Sequence, residues 1–121
     1  MEIIGFRYFN VFGPKQDPNG PYAAVIPKFV TLIMNGEIPE IYGDGGQSRD
    51  FTHISNVVSG NLIALTKEDV SDINGTVLNL AYGGTTTVND LFFGIRDSIS
   101  KFREDISAMK PNYVGRRKGD I

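Results

Sequence analysis

Cysteine is absent from the 121 residues, which removes disulfides and thiol catalysis and fits a cytoplasmic protein. The single histidine, His53, is too few for a multi-histidine zinc site, and no metal is expected. No apolar run approaches the roughly 20 residues that span a bilayer, and no charged-then-apolar leader opens the chain. Neither a membrane partner nor export is therefore expected. Neither sign of charge dominates: 12 Lys and Arg stand against 14 Asp and Glu, and the net charge is −2. The longest basic cluster is residues 116–118, too short for a nucleic-acid partner held by phosphate neutralisation. Glycine is plentiful but nowhere spaced as G-x-G-x-x-G or G-x-x-G-x-x-G. A dinucleotide pyrophosphate needs such a turn between strand and helix to reach backbone N–H groups. The glycines after Asp44 lead into Gln-Ser-Arg-Asp-Phe, which reads as a strand instead.

What is present suits one α/β or α+β core, since 40% of the residues are apolar. Residues 3–9 predict a buried strand and residues 13–21 a loop. Ile26, Phe29, Val30 and Ile33 give residues 22–35 helical spacing, with Pro27 tolerated near the first turn and Gly36 as a stop. Residues 38–42 read as a short strand and 44–46 as a turn. Residues 49–54 alternate as one strand, and Ser55 is placed to cap a helix to about Lys67, with Val58, Asn61, Leu62 and Leu65 on one face. Residues 76–82 predict a strand. Thr87 and Asp90 resemble a capping box, opening a helix with Val88, Leu91, Phe92, Ile95, Ile99 and Phe102 on its apolar stripe. From Glu104 onward there is little periodicity.

Residue types alone favour modest roles for the polar positions. Asn10, at the end of a strand, is as readily a turn asparagine as a ligand group. Phe9 reads as a core aromatic, Lys28 as solvated, and Asp50 and His53 as structural. The order of motifs changes that reading. Residues 7–14 (RYFNVFGP), 41–54 (IYGDGGQSRDFTHI) and 117–120 (RKGD) resemble, in sequence order, three segments of the nucleotide-sugar epimerases and dehydratases of the extended short-chain dehydrogenase/reductase family. The resemblance spans the chain and is strongest to the branch of UDP-N-acetylglucosamine and UDP-glucose 4-epimerases. Residues 103–113 match poorly, and Thr85 stands where that branch often has arginine.

The resemblance implies the C-terminal, substrate-binding part of such an enzyme over residues 1–121, with the last Rossmann elements but no complete Rossmann domain and no N-terminal NAD-binding domain. It implies that Asn10 and Arg49 take the diphosphate of a UDP-sugar, Arg49 with a planar fork suited to paired phosphate oxygens. Ala24 and Val25 would contact uracil, Tyr42 would pack on it, and Lys28 and Phe51 would line the site. Arg117 would take a phosphate and Asp120 a ribose hydroxyl, while Phe9 would lie beside the nicotinamide of NAD. The family's catalytic pair is Tyr-x-x-x-Lys, and none of the tyrosines 8, 22, 42, 82 and 113 has lysine four residues later. No catalytic residue is therefore expected, and NAD belongs to the parent enzyme rather than to this chain alone. The parent reaction implied is C4 inversion of a UDP-hexose through a 4-keto sugar. A sugar dehydratase, a UDP-glucuronate decarboxylase and a non-catalytic truncation product are the alternatives. Surface that the missing half would cover should favour self-association.

Overall fold

The strand expected at the start of the chain forms as β1 (Gly5–Tyr8), but its partner is β6 (Val77–Leu80), parallel to it from Gly5↔Val77 to Tyr8↔Leu80. This arrangement comes from a computed structural model that describes residues 1–20 and 24–115. Parallel pairing needs a crossover, and α2 (Ile54–Thr66) lies in the chain between the two. The short β2 (Val11–Phe12) pairs in the same sense with β5 (Thr52–His53). These elements belong to a first compact unit, residues 1–15 and 50–85.

The second unit takes in residues 16–49 and the described residues from 86 onward. It contains α1 (Val25–Met34), β3 (Glu40–Tyr42), β4 (Ser48–Arg49), β7 (Thr86–Thr87), α3 (Val88–Ser100), a 3-10 turn over Glu104–Ile106, and β8 (Asn112–Val114). Strand β3 pairs in parallel with β8, and β4 pairs antiparallel with β7. Both units mix helix and strand, the α/β class that the motif order predicts.

The second unit holds the main core. Phe29 and Ile33 of α1, Ile41 of β3, Phe92 of α3 and Ile106 are all buried. Phe29 and Phe92 meet edge to face with ring centroids 6.2 Å apart, a geometry aromatic quadrupoles favour. The helical spacing read from α1 and α3 therefore points at one cluster, and each buried large side chain contributes about 1.5–3 kcal/mol. Gly36, at φ +76°, ends α1 in the left-handed conformation that its sequence position suggests. The capping box also forms: Thr87 Oγ1 accepts from Asp90 N at 3.0 Å, and Asp90 Oδ2 accepts from Thr87 N at 3.4 Å.

Four expectations need correction. Residues 49–54 are not one strand: β4 and β5 lie in different sheets, with Asp50 and Phe51 between them. The cap of α2 is His53 rather than Ser55, because the imidazole Nδ1 accepts from Ser55 N at 3.2 Å. Phe102 lies beyond the end of α3 and is 90% exposed, so it drops off the apolar stripe. The aperiodic tail contains β8, whose pairing with β3 no local pattern announces.

The first unit is built differently. Among its apolar residues Val57 and Val70 are buried, but Val58, Leu62 and Leu65, the face read from the sequence of α2, are exposed, Leu65 by 81%. Parallel strands are usually covered on both faces, yet Tyr8 of β1 and Val77 of β6 are each half exposed.

Stability should therefore respond most strongly in the second unit. Phe92→Ala should cost about 3–5 kcal/mol in urea unfolding followed by far-UV circular dichroism, from lost transfer energy plus a cavity. Thr87→Ala should cost only about 1 kcal/mol, the worth of a side-chain cap. Equal costs for the two substitutions would contradict this placement of the core.

Candidate functional site

In the first unit the polar groups gather after the carboxyl ends of β1 and β6, where ligands of parallel α/β sheets bind. Asn10 follows β1 with φ +38°, a left-handed conformation that a non-glycine residue keeps only when held. Two bonds hold it: its Nδ2 donates to Asp50 O at 3.1 Å, and its own carbonyl accepts from Thr52 N at 3.3 Å. The same short segment grips the loop after β6. Asp50 Oδ2 accepts from Gly83 N at 2.9 Å, and the fully buried Thr52 accepts at Oγ1 from Tyr82 N at 3.2 Å. Residues 50–52 thus tie the Asn10 turn to the 82–83 loop. Asp50 Oδ1 is buried and finds no hydrogen-bond partner among the described residues. Phe9 is partly exposed beside Asn10 in the chain, and Phe51 is half-buried. His53 bonds Ser55 and packs edge-on against Phe12 at 5.3 Å, in keeping with a structural role.

The second unit carries the other candidates. Tyr42 ends β3 and Arg49 ends β4, so the glycine-rich residues 43–47 lie between them. The exposed Arg49 donates from Nη1 to Ser48 O at 2.9 Å and makes no ion pair among the described residues. Ala24 is the N-cap of α1 and offers no side-chain acceptor, and the first turn, which begins at Val25, has no acidic residue. The positive end of this helix dipole is therefore not neutralised by its own first turn, which suits an anionic group. Lys28 is exposed one turn further on. Arg117 and Asp120 lie outside the described residues.

Two residues that motif reading did not single out brace the loop after Tyr42. Asn89 Nδ2 donates to Asp44 O at 2.9 Å, and Asn89 N donates to Gly45 O at 3.1 Å. Tyr113 OH in turn donates to Asn89 Oδ1 at 2.9 Å. Asn89 sits inside a recognisable capping sequence, but nothing local marks Tyr113, whose position follows from the β3–β8 pairing.

The starts of α2 and α3 do not fit an NAD pyrophosphate. The first turns of α2 and α3 are capped by His53 and by the Thr87–Asp90 pair, and neither strand-to-helix junction contains glycine. Among the described residues no group of three or more His, Cys, Asp or Glu could hold a metal ion, and no helix is long and apolar enough to cross a membrane.

Comparison with known proteins gives these features a family context. The profile described as "NAD dependent epimerase/dehydratase family" matches residues 1–81. The structure of a UDP-N-acetylglucosamine 4-epimerase from Methanobrevibacter ruminantium M1, in complex with UDP-N-acetylmuramic acid, superposes with a TM-score of 0.80 at 45% identity, covering 100% of this chain and 36% of that one. A Methanocaldococcus jannaschii protein provisionally named UDP-glucose 4-epimerase is 36% identical over all 121 residues, which are 35% of its length. A UDP-N-acetyl-alpha-D-glucosaminuronate decarboxylase of Bacillus cytotoxicus is 39% identical over 80 residues, 66% of this chain and 23% of that protein. The chain thus spans about a third of the length of the relatives that it matches throughout.

The grip of residues 50–52 on the 82–83 loop can be tested directly. Thr52→Val keeps the buried shape but removes the acceptor for Tyr82 N. It should cost about 1 kcal/mol, because water can reach the exposed Tyr82. Hydrogen exchange should speed up at Tyr82 and Gly83; unchanged exchange there would show that Thr52 does not hold the loop.

Proposed function

Because the chain belongs to the NAD dependent epimerase/dehydratase family, we propose that residues 1–121 form the UDP-sugar-binding part of a nucleotide-sugar C4-epimerase. The observation that carries this reading is the β3–loop–β4 segment: an aromatic at one end, an exposed arginine with no ion pair among the described residues at the other, and a braced turn between them. Tyr42 packs on the uracil. Arg49 takes the diphosphate through paired N–H donors, a charge-assisted contact stronger than a neutral hydrogen bond. Ala24 and Val25 present the start of α1 to the nucleotide, Lys28 adds positive charge, and Phe51 lines the site. Asn10, held left-handed by Asp50 and Thr52, offers its remaining amide capacity to the diphosphate. Arg117 and Asp120 contribute a phosphate and a ribose contact.

In the parent enzyme bound NAD would supply reversible hydride acceptance at C4 of the sugar. Phe9 of this chain would lie towards the nicotinamide, and the other candidate residues would hold the UDP end and leave the hexose free to turn. The sequence has neither the glycine turn nor the Tyr-x-x-x-Lys pair, so on this reading the chain alone neither binds NAD nor interconverts UDP-sugars. Similarity to the 4-epimerases over the full chain favours C4 inversion. Similarity to the decarboxylase over 80 residues supports a second reading, in which the same UDP contacts serve decarboxylation of a UDP-uronate.

Titration of the chain with UDP, UMP and UDP-N-acetylglucosamine, followed by 15N–1H NMR, tests the assignment. UDP should shift Tyr42, Arg49 and Asn10, and Arg49→Ala should weaken it by about 1.5–3 kcal/mol, with less effect on UMP. Equal UDP binding by wild type and Arg49→Ala would overturn the diphosphate assignment. Assayed with added NAD, the chain should show no conversion of UDP-glucose to UDP-galactose; turnover above background would overturn the non-catalytic role.

A further inference from the structure

We propose that Asn89 is a positioning residue for nucleotide binding: from the first turn of α3 it fixes the loop that separates Tyr42 from Arg49, and Tyr113 fixes Asn89. The inference rests on the UDP-binding reading of that segment and adds to it the element that sets its shape.

Residues 43–47 read Gly-Asp-Gly-Gly-Gln, a sequence that gives up much backbone freedom on ordering and does not keep one shape unaided. Two bonds within the segment help: Gly46 N to Asp44 Oδ1 at 2.9 Å and Gln47 Nε2 to Tyr42 O at 3.0 Å. Gly43 N donates to Val114 O of β8 at 2.9 Å, and three further restraints come from the start of α3. Val88 N donates to Gln47 O at 3.0 Å, Asn89 N to Gly45 O at 3.1 Å, and Asn89 Nδ2 to Asp44 O at 2.9 Å. Of these three, only the last is made by a side chain.

The helix does not need that side chain for itself. Its first turn is completed by Thr87 and Asp90, so both ends of the Asn89 amide go to partners outside α3. The Tyr113 hydroxyl donates to Oδ1 and so orients the amide with its N–H groups towards Asp44. Tyr113 lies opposite Ile41 on β3, one residue before Tyr42. The chain of bonds from Tyr113 through Asn89 to Asp44 therefore links β8, α3 and the loop. The fit is close: Gly45 has φ +72°, and a Cβ there would stand 2.1 Å from Asn89 Oδ1. Side chain and glycine are matched, which a solvated surface asparagine has no reason to be.

The consequence is that UDP affinity depends on a residue that touches no part of UDP. Asn89→Ala removes the strap, and Tyr113→Phe removes only the group that orients it. Two measurements on the chain separate this inference from the UDP reading. In unliganded protein, Asn89→Ala should speed amide exchange at residues 44–47 and Arg49 by about tenfold while the amides of α3 after Leu91 keep their protection. In UDP titrations, Asn89→Ala should raise the dissociation constant about fivefold, the worth of one net hydrogen bond, and Tyr113→Phe by less. The double substitution should match Asn89→Ala alone, since both act through one strap.

Unchanged exchange at residues 44–47 in Asn89→Ala overturns the inference whether or not UDP binds. Unchanged UDP affinity with faster exchange overturns the positioning role and leaves a merely structural strap. Additive losses in the double variant overturn the link through Tyr113. If wild type shows no UDP shifts, the UDP reading fails, and the exchange result by itself decides whether Asn89 sets the loop.

Discussion

Parallel pairing is the constraint on which this structure depends. Strands β1, β2 and β3 each find a parallel partner far along the chain, in β6, β5 and β8. Parallel neighbours cannot be joined by a tight turn, so the chain must leave a sheet and return to it. It does so by alternating between two units, each assembled from separated segments. Two of the candidate residues lie near these changes of unit in the sequence. Asn10 follows β1 shortly before the first change of unit, and Arg49 is the last residue before the second. Strand ends that cannot turn back locally leave polar backbone and side chains available, and on the proposed reading these contact the nucleotide.

The two units meet the need for burial unequally. In the second, two helices converge on an aromatic pair and an aliphatic cluster that excludes water. In the first, two two-stranded parallel sheets and one helix bury Val57, Val70 and Thr52 but leave Val58, Leu62 and Leu65 in solvent. Its order therefore leans on polar ties: Tyr8 OH to Asn61 Oδ1 at 3.1 Å, the Asp50 and Thr52 bonds, and the His53 cap. Exposed hydrogen bonds contribute about 1 kcal/mol each at most, against several for a buried aromatic, so the first unit has the smaller reserve of stability.

This contrast also explains what could be read from the chain. The Gly36 stop and the Thr87–Asp90 box are local patterns and formed as read, because caps act within one turn; of the α1 stripe, Phe29 and Ile33 are buried and Val30 is exposed. The apparent strand over residues 49–54 misled because its alternation is real but its two halves serve different sheets, and the break at Asp50 is imposed by partners after β1 and β6. Ser55 looked like the cap because hydroxyls usually are, whereas an imidazole with an acceptor nitrogen does the same work two residues earlier. Strand β8 was invisible because three residues with no alternation carry no signal until β3 supplies a partner. Of the candidate site, motif order singled out the charged and aromatic groups, of which Arg117 and Asp120 lie outside the described residues. The braces at Asn89 and Tyr113 were not, since their importance exists only in three dimensions.

That division bears on how such a site reaches useful affinity. The net charge of −2 gives the chain no long-range attraction for a nucleoside diphosphate, and an exposed arginine is screened at ordinary ionic strength. Contact strength at Arg49 is therefore modest unless the guanidinium and the Tyr42 ring already hold the spacing that a nucleotide requires. Preorganisation lowers the entropy lost on binding without adding any contact. A glycine-rich connection works against it, because it is the easiest backbone to disorder. Glycine is nevertheless needed at position 45, where φ is +72° and the Asn89 side chain leaves no room for a Cβ. The loop thus accepts a flexible sequence in exchange for a close fit to a rigid helix start, and the strap from α3 returns the order that the glycines give up.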